Sequence, residues 1–317
     1  ETLKAFKEKD PNKNGVSDEV ALAGAIRPGK TKQVETQSEM FLMNSFVYTP
    51  PTRMYLDKGK VKLSYNQPGW KEGLKYLNKL YSEGLLIGES FTQDEQQLRQ
   101  LGENADAPIL GAFPGVYVGN ATEIGSESGR WLDNKTVSPL KGPDGTRFAV
   151  ASDYQLTTGK FVITNATEHA EVALRWADGF FDEEIMTRAQ NGIPGEDYVE
   201  AKPGELGIDG SPAKYSVITP YGSVTNNHWY QKAPAYNKSS IRLSWSAGEN
   251  PAENLEVILY NESKDKYEPY KAPLEMQLPP LYFKEEQSLE LADLEKTLND
   301  FVDQMLARFI TGEMDID

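Results

Sequence analysis

The chain has 317 residues, with 33 Lys and Arg against 48 Asp and Glu, for a net charge of −15. That length holds about two domains or one large two-lobed unit, and 38% apolar residues with 10% aromatics suffice for a real core. The acidity argues against a nucleic-acid partner, because phosphate recruits Lys and Arg; with no Cys there is no disulfide, thiolate nucleophile or zinc–thiolate site, and His169 and His228 are too few for a multi-histidine metal site.

In chain order, Leu3 and Phe6 are three apart in Glu1–Lys9 and predict an amphipathic helix. A chain that opens inside a helix, without Met, reads as a piece of a longer precursor, so missing targeting signals carry no information. No stretch reaches the roughly 18 apolar residues of a membrane span. A turn-rich loop follows over Asp10–Glu19, then a short apolar run Val20–Ala23 and a helix over Glu39–Phe46. Lys60–Tyr65 alternates as a half-buried strand does. Trp70, Leu74, Leu77 and Tyr81 line one face of a helix over Trp70–Ser82, stopped by Gly84. Further helices are expected over Gln93–Leu101, Glu168–Phe181, Glu184–Gln190 and Glu285–Phe309, and a buried strand over Pro108–Phe113. Trp70 and Trp176 sit on helix stripes and are assigned to the core. Asn191–Ser223 is rich in Gly and Pro and shows little regular structure. Helices alternating with short strands define an α/β chain.

The strongest local motif is DPNKNGVSDE, Asp10–Glu19. Oxygen donors at alternate positions, with Gly15 for a sharp turn, are what a calcium loop needs. Asp10, Asn12 and Asn14 would supply side-chain oxygens, Val16 a backbone carbonyl and Asp18 the next carboxylate. The usual twelfth-position Glu is replaced by Ala21, and Glu19 can stand in for it. The same residues also suit a solvated turn that binds nothing.

Gly24–Thr31 (GAIRPGKT) satisfies the phosphate-loop pattern, but the polar KQVETQ after Thr31 makes a poor start for the helix it requires. A flexible Gly/Pro loop is the simpler reading. GSESG at Gly125–Gly129 has Glu127 where a nucleophile elbow has Ser. Trp131, Tyr154, Trp229, Tyr230, Tyr236 and Trp245 lie in segments rich in Gly, Asn and Ser, and Tyr117 follows the PILGAF strand. Flat rings beside amides and carboxylates suit sugars, although each ring alone is also compatible with core packing.

FKEKDPNKNGVSDEVALAG, followed by GKVKLSYNQPGWKEGLKYLNKLYSEGLL and ESFTQD, resembles extracellular solute-binding proteins of family 1, within the lipoproteins that serve Gram-positive carbohydrate ABC importers. NGIPGEDYV and the blocks from LPPLYFKEEQ to FITGEMDI are similar to later parts of the same group. The resemblance implies a periplasmic-binding-protein-like (type II) two-lobed fold, closing on an oligosaccharide and presenting it to a membrane permease. It implies no catalysis, and a lipid anchor outside this chain. It places a structural calcium on Asp10, Asn12, Asn14, Val16, Asp18 and Glu19. The turn after PILGAF resembles the family's ligand-facing turn, which makes Tyr117 the first candidate for the sugar, with Phe41, Trp229 and Tyr230 behind it. Residues 1–154 would form the first part of the second lobe, 155–216 a segment returning to the first lobe, and 217–317 the remainder of the second. The first lobe's N-terminal part and the extreme C-terminus are expected to lie outside the chain. The alternatives are a phosphate-loop nucleotidase through 24–31, a secreted carbohydrate-active enzyme, and a cell-surface adhesion module.

Overall fold

The computed structural model describes residues 1–26, 36–154, 159–219 and 235–317. They fall into two compact units, one of 1–154 with 265–317 and one of 155–264.

The first unit opens with α1 (Thr2–Glu8), the metal-loop candidate and an extended segment from Val20. That segment takes parallel partners on both sides, Leu110 opposite Val20 and Leu86 opposite Leu22. Val20 donates its N–H to the Ile109 carbonyl at 2.8 Å, and Ala23 donates to Ala112 at 3.1 Å. PILGAF is therefore extended and paired as expected, although only as isolated bridges. Next come α2 (Ser38–Leu42), β1 (Met54–Asp57) and β2 (Lys60–Leu63). β1 and β2 form an antiparallel hairpin whose two turn residues, Lys58 and Gly59, both have positive φ, the conformation that matches strand twist.

α3 (Pro68–Ser82) begins at Pro68, whose fixed φ suits a first helical position. It buries Trp70, Leu74, Leu77 and Leu80. Gly84, at φ +65, ends it with a left-handed residue, and Leu85 donates back to the Leu80 carbonyl at 2.8 Å. α4 (Glu95–Gly102) is capped reciprocally by Asp94 and Gln97, and α5 (Arg130–Asp133) is a single turn.

The second unit holds α6 (Ala170–Asp178), α7 (Glu183–Asn191), β3 (Tyr198–Glu200), β4 (Tyr215–Val217), α8 (Ser239–Leu243) and α9 (Leu255–Glu262). β3 and β4 pair antiparallel, so the described part of that segment, 191–219, is more ordered than its composition suggested. Cross-chain aromatic packing overrides the local Gly/Pro signal. Tyr198, Ile208 and Trp245 form the unit's core, and Val257 and Tyr260 pack against it. Trp176 corrects the sequence assignment. It is 50% exposed, with Val172 and Leu174 on the same helix also exposed. Its stripe identifies the helix, but among the described residues little covers that face.

The last helix, α10 (Glu285–Thr311), returns to the first unit and packs on α3 through Val302, Leu306 and Ile310. The two segments that border the second unit are joined to each other inside the first. Asp153 pairs with Lys271 at 2.7 Å and accepts from the Gln277 amide at 2.8 Å, while Ala149 bridges Lys271. The Lys271 ammonium, followed by the Gln277 amide, holds the Asp153 carboxyl below the usual aspartate range. Its contribution to stability is therefore present above about pH 4 and is lost as pH falls through the lower folded-state value. Lys271→Met should move the Asp153 carboxyl titration, followed by NMR, up towards an ordinary aspartate; an unmoved midpoint would show that Lys271 is not the cause. Among the described residues, no helix is long and apolar enough to cross a membrane.

Candidate functional site

The loop between α1 and Val20 is built by its own side chains. Asp10, Lys13 and Gly15 all take positive φ, and Gly15 has open space around it. The Asp10 carboxylate accepts from the N–H of Asn14 at 3.1 Å and of Gly15 at 2.9 Å. Asn12 Oδ1 accepts from Asn14 N–H at 2.9 Å, and Asn14 Oδ1 accepts from Val16 N–H at 2.7 Å. The Asn14 amide also donates to both Asp18 carboxylate oxygens at 3.3 Å. Asp10, Asn12, Asn14, Val16 and Asp18 thus belong to one tightly wound loop. Asn12 ties it to the PILGAF segment by donating to the Pro108 carbonyl at 3.1 Å.

Glu19 is different. It is only 8% exposed, and its Oε1 is buried without a hydrogen-bond partner among the described residues. A buried carboxylate oxygen with no donor is costly, and a cation would satisfy it. Among the described residues, no group of three His, Cys, Asp or Glu side chains is gathered to hold a metal. The donors of this loop are instead mixed, with two Asn amides and a main-chain carbonyl among its carboxylates, a set that suits calcium rather than a transition metal.

The second feature is the turn after PILGAF. Tyr117 is 36% exposed at the start of a short 3-10 turn, Val118–Asn120. Asn120 is buried, and its Oδ1 accepts from the N–H of Val116 at 2.9 Å and of Tyr117 at 3.3 Å. Arg99, from α4, donates through Nε and Nη2 to the Gly119 carbonyl at 3.1 and 2.8 Å. The Tyr117 ring lies so close over Gly119 that any Cβ there would collide with it. The ring is therefore held on a fixed turn with one part in solvent. Asn120 and Arg99 escaped sequence reading. An Asn three residues after an aromatic is a turn-closing signal, but Arg99 lies 20 residues upstream of Gly119.

The other candidates separate. Phe41 is half-buried against the core of the first unit. Trp131 and Trp245 are buried, Tyr236 packs its ring on Phe181 at 4.4 Å between centroids, and Tyr154 is exposed. Trp229, Tyr230 and His228 lie outside the described residues, as do Lys30 and Thr31 of the phosphate-loop match. At the front of that match the backbone is already committed. Gly24 donates to Ser90 Oγ at 3.0 Å, Ala25 to the Thr36 carbonyl at 2.8 Å and Ile26 to Gln93 at 2.9 Å. These amides cannot cradle a phosphate, and Gly24 and Ala25 are part of a buried segment, not a surface loop.

No family model matches the chain. In sequence it is similar to the lipoprotein LipO of Bacillus subtilis, 28% identical over 209 residues, 62% of this chain and 39% of LipO. It is also similar to FusA of Streptococcus pneumoniae, a fructooligosaccharide ABC transporter substrate-binding protein, at 24% over 177 residues, 56% of this chain and 30% of FusA. The chain thus spans well under half the length of these curated relatives. Among solved structures, a human-milk-oligosaccharide (HMO) binding solute-binding protein of Bifidobacterium longum infantis superposes with a TM-score of 0.72 at 21% identity, covering 98% of this chain and 62% of that one. FusA in complex with kestose gives 0.67 at 21% identity, covering 98% and 60%. A further FusA structure, of an EF-hand mutant with fructo-nystose, matches at the same TM-score.

The fold is that of the two-lobed, periplasmic-binding-protein-like solute-binding proteins, of which the chain spans about three fifths. In sequence the chain is similar to Gram-positive proteins that include carbohydrate ABC-transporter substrate-binding proteins, the group that its own motifs resemble.

Proposed function

We propose that the whole protein binds an oligosaccharide outside the cell and delivers it to an ABC permease, with the loop 10–19 holding a structural calcium. The observation that carries the sugar reading is the sequence relationship to FusA, a transporter component named for a fructooligosaccharide. The rigid display of Tyr117 supports it locally. In this reading Tyr117 stacks on a sugar ring, Asn120 and Arg99 hold its turn, and Phe41, Trp229 and Tyr230 are secondary contacts. The protein's task is binding and release, with no bond chemistry assigned to any residue. A lipid anchor on the whole protein would keep it at the outer face of the membrane. Residues 155–216 as the segment returning to the first lobe, and 217–317 as the rest of the second, belong to the same proposal.

In the calcium reading, Asp10, Asn12, Asn14, Asp18 and Glu19 give side-chain oxygens and Val16 its carbonyl. The ion would supply charge neutralisation and cross-link the loop, and Glu19 Oε1 would gain the partner it lacks.

Calorimetry and thermal shift of the whole protein against fructo-, galacto-, gluco- and milk oligosaccharides test the sugar reading. At least one ligand class should bind and raise the melting temperature. Tyr117→Ala should weaken that ligand by about tenfold, the loss of one aromatic contact of ~1.4 kcal/mol, while leaving the ligand-free melting temperature nearly unchanged. Silence across the panel would sink the reading; full affinity in the variant would remove Tyr117 from it.

A further inference from the structure

The last helix carries more apolar surface than its own unit uses. The C-terminal half of α10 buries Val302, Leu306 and Ile310 against α3. At about 100° per residue, Leu294, Leu298, Phe301 and Met305 fall together on the adjoining face. Leu294, Leu298 and Phe301 are 60%, 42% and 58% exposed. The stripe runs into a groove of about 520 Å³ walled by Trp70, Leu74, Met305 and Phe309. From Leu294 to Met305 it extends about 17 Å along the helix. Apolar surface that is contiguous over three turns is a docking surface, not a solvated helix face.

The flanks of the stripe discriminate between occupants. Over residues 285–301, the part of the helix that carries Leu294, Leu298 and Phe301, six acidic residues stand against one basic, a balance of −5. A second copy seated on this helix would bring two such acidic borders together, and like charges across an interface oppose it. An occupant with Lys and Arg beside its apolar residues is favoured instead. Solved relatives supply the room for one within a single chain, because the match uses only 61 and 62% of their length. We propose that the α10 stripe is the seat of an amphipathic, basic-flanked segment from the part of the whole protein outside these 317 residues. The inference is independent of which ligand the protein binds.

The absence of Cys makes the test clean. Single cysteines are placed in the whole protein at Leu294→Cys and Leu298→Cys on the stripe, and at Lys296→Cys on the opposite, exposed face. Thiol labelling in native buffer should be about tenfold slower, or slower still, at the two stripe positions than at Lys296→Cys, as expected of sites that react only when a packed interface opens. Protection must persist on dilution, with a monomer mass by light scattering. Equal rates at all three positions overturn the proposal. Protection that disappears on dilution together with a dimer mass also overturns it, by assigning the face to a second copy. Both substitutions replace one partly exposed apolar side chain by a smaller one, and circular dichroism of each variant confirms that the helix is retained before rates are compared.

Discussion

Chelating calcium from the whole protein is expected to lower its melting temperature by about 5 °C. An ion held at a hundred times its dissociation constant stabilises the folded state by about 2.7 kcal/mol, and a chain of this size shifts by roughly 2 °C per kcal/mol. The loop supplies the reason. Its alternate oxygens are wound into one turn by Asp10, Asn12 and Asn14, while Glu19 Oε1 stays buried without a donor. Glu19→Gln keeps the volume and removes the charge. The variant should lose most of the calcium response, and without calcium it should be no less stable than the parent, because a neutral amide is cheaper to bury than a carboxylate. Scanning calorimetry with and without chelator reads both. Identical midpoints for the parent protein in the two conditions would leave the loop as an ordinary hydrogen-bonded turn.

Asp303→Ala is expected to destabilise the protein by about 3 kcal/mol, with no change in ligand contacts. Arg53 is only 2% exposed and sits at φ +56 before the β1–β2 hairpin. Its backbone is fixed by Ser64, whose N–H and Oγ both donate to the Arg53 carbonyl, at 2.8 and 3.1 Å. Its guanidinium pairs with Asp303 on α10, and its Nε has no hydrogen-bond partner among the described residues. Removing the carboxylate strands a buried cation, which costs about 3–5 kcal/mol; the lower end applies because the Asp303 side chain is 42% exposed to water. The double variant Arg53→Met with Asp303→Ala should be more stable than Asp303→Ala alone, since no charge is then left buried. Urea melts of the three variants measure this. An Asp303→Ala loss within 0.5 kcal/mol, the range of ordinary surface substitutions, would show that water reaches the guanidinium.

Features whose cause is local were legible from residues alone. The Trp70, Leu74, Leu77 spacing marks α3 because helical geometry brings those positions to one face whatever lies opposite. The same holds for α10 and for the alternation of oxygens in Asp10–Asp18, which winds the loop through hydrogen bonds no more than five residues long.

Where the sequence misled, the deciding contact was remote or the covering surface lay elsewhere. Trp176 was assigned to the core by periodicity alone, and periodicity names the face of a helix without naming what packs on it. The β3–β4 hairpin was hidden by Gly and Pro because Tyr198, Tyr215 and Trp245 hold it through ring contacts across separate segments. Arg99 supports the Tyr117 turn from another helix, and Arg53 meets Asp303 across 250 residues of sequence. Composition and period therefore determined the α/β class, the principal helices and the oxygen-rich turn at Asp10–Asp18, since these follow from backbone geometry and nearest neighbours. The tertiary structure alone decided which strands pair, which aromatics are displayed, where a carboxylate is left without a donor and which half of the last helix is uncovered. Those outcomes depend on burial, and burial is a property of distant residues brought together.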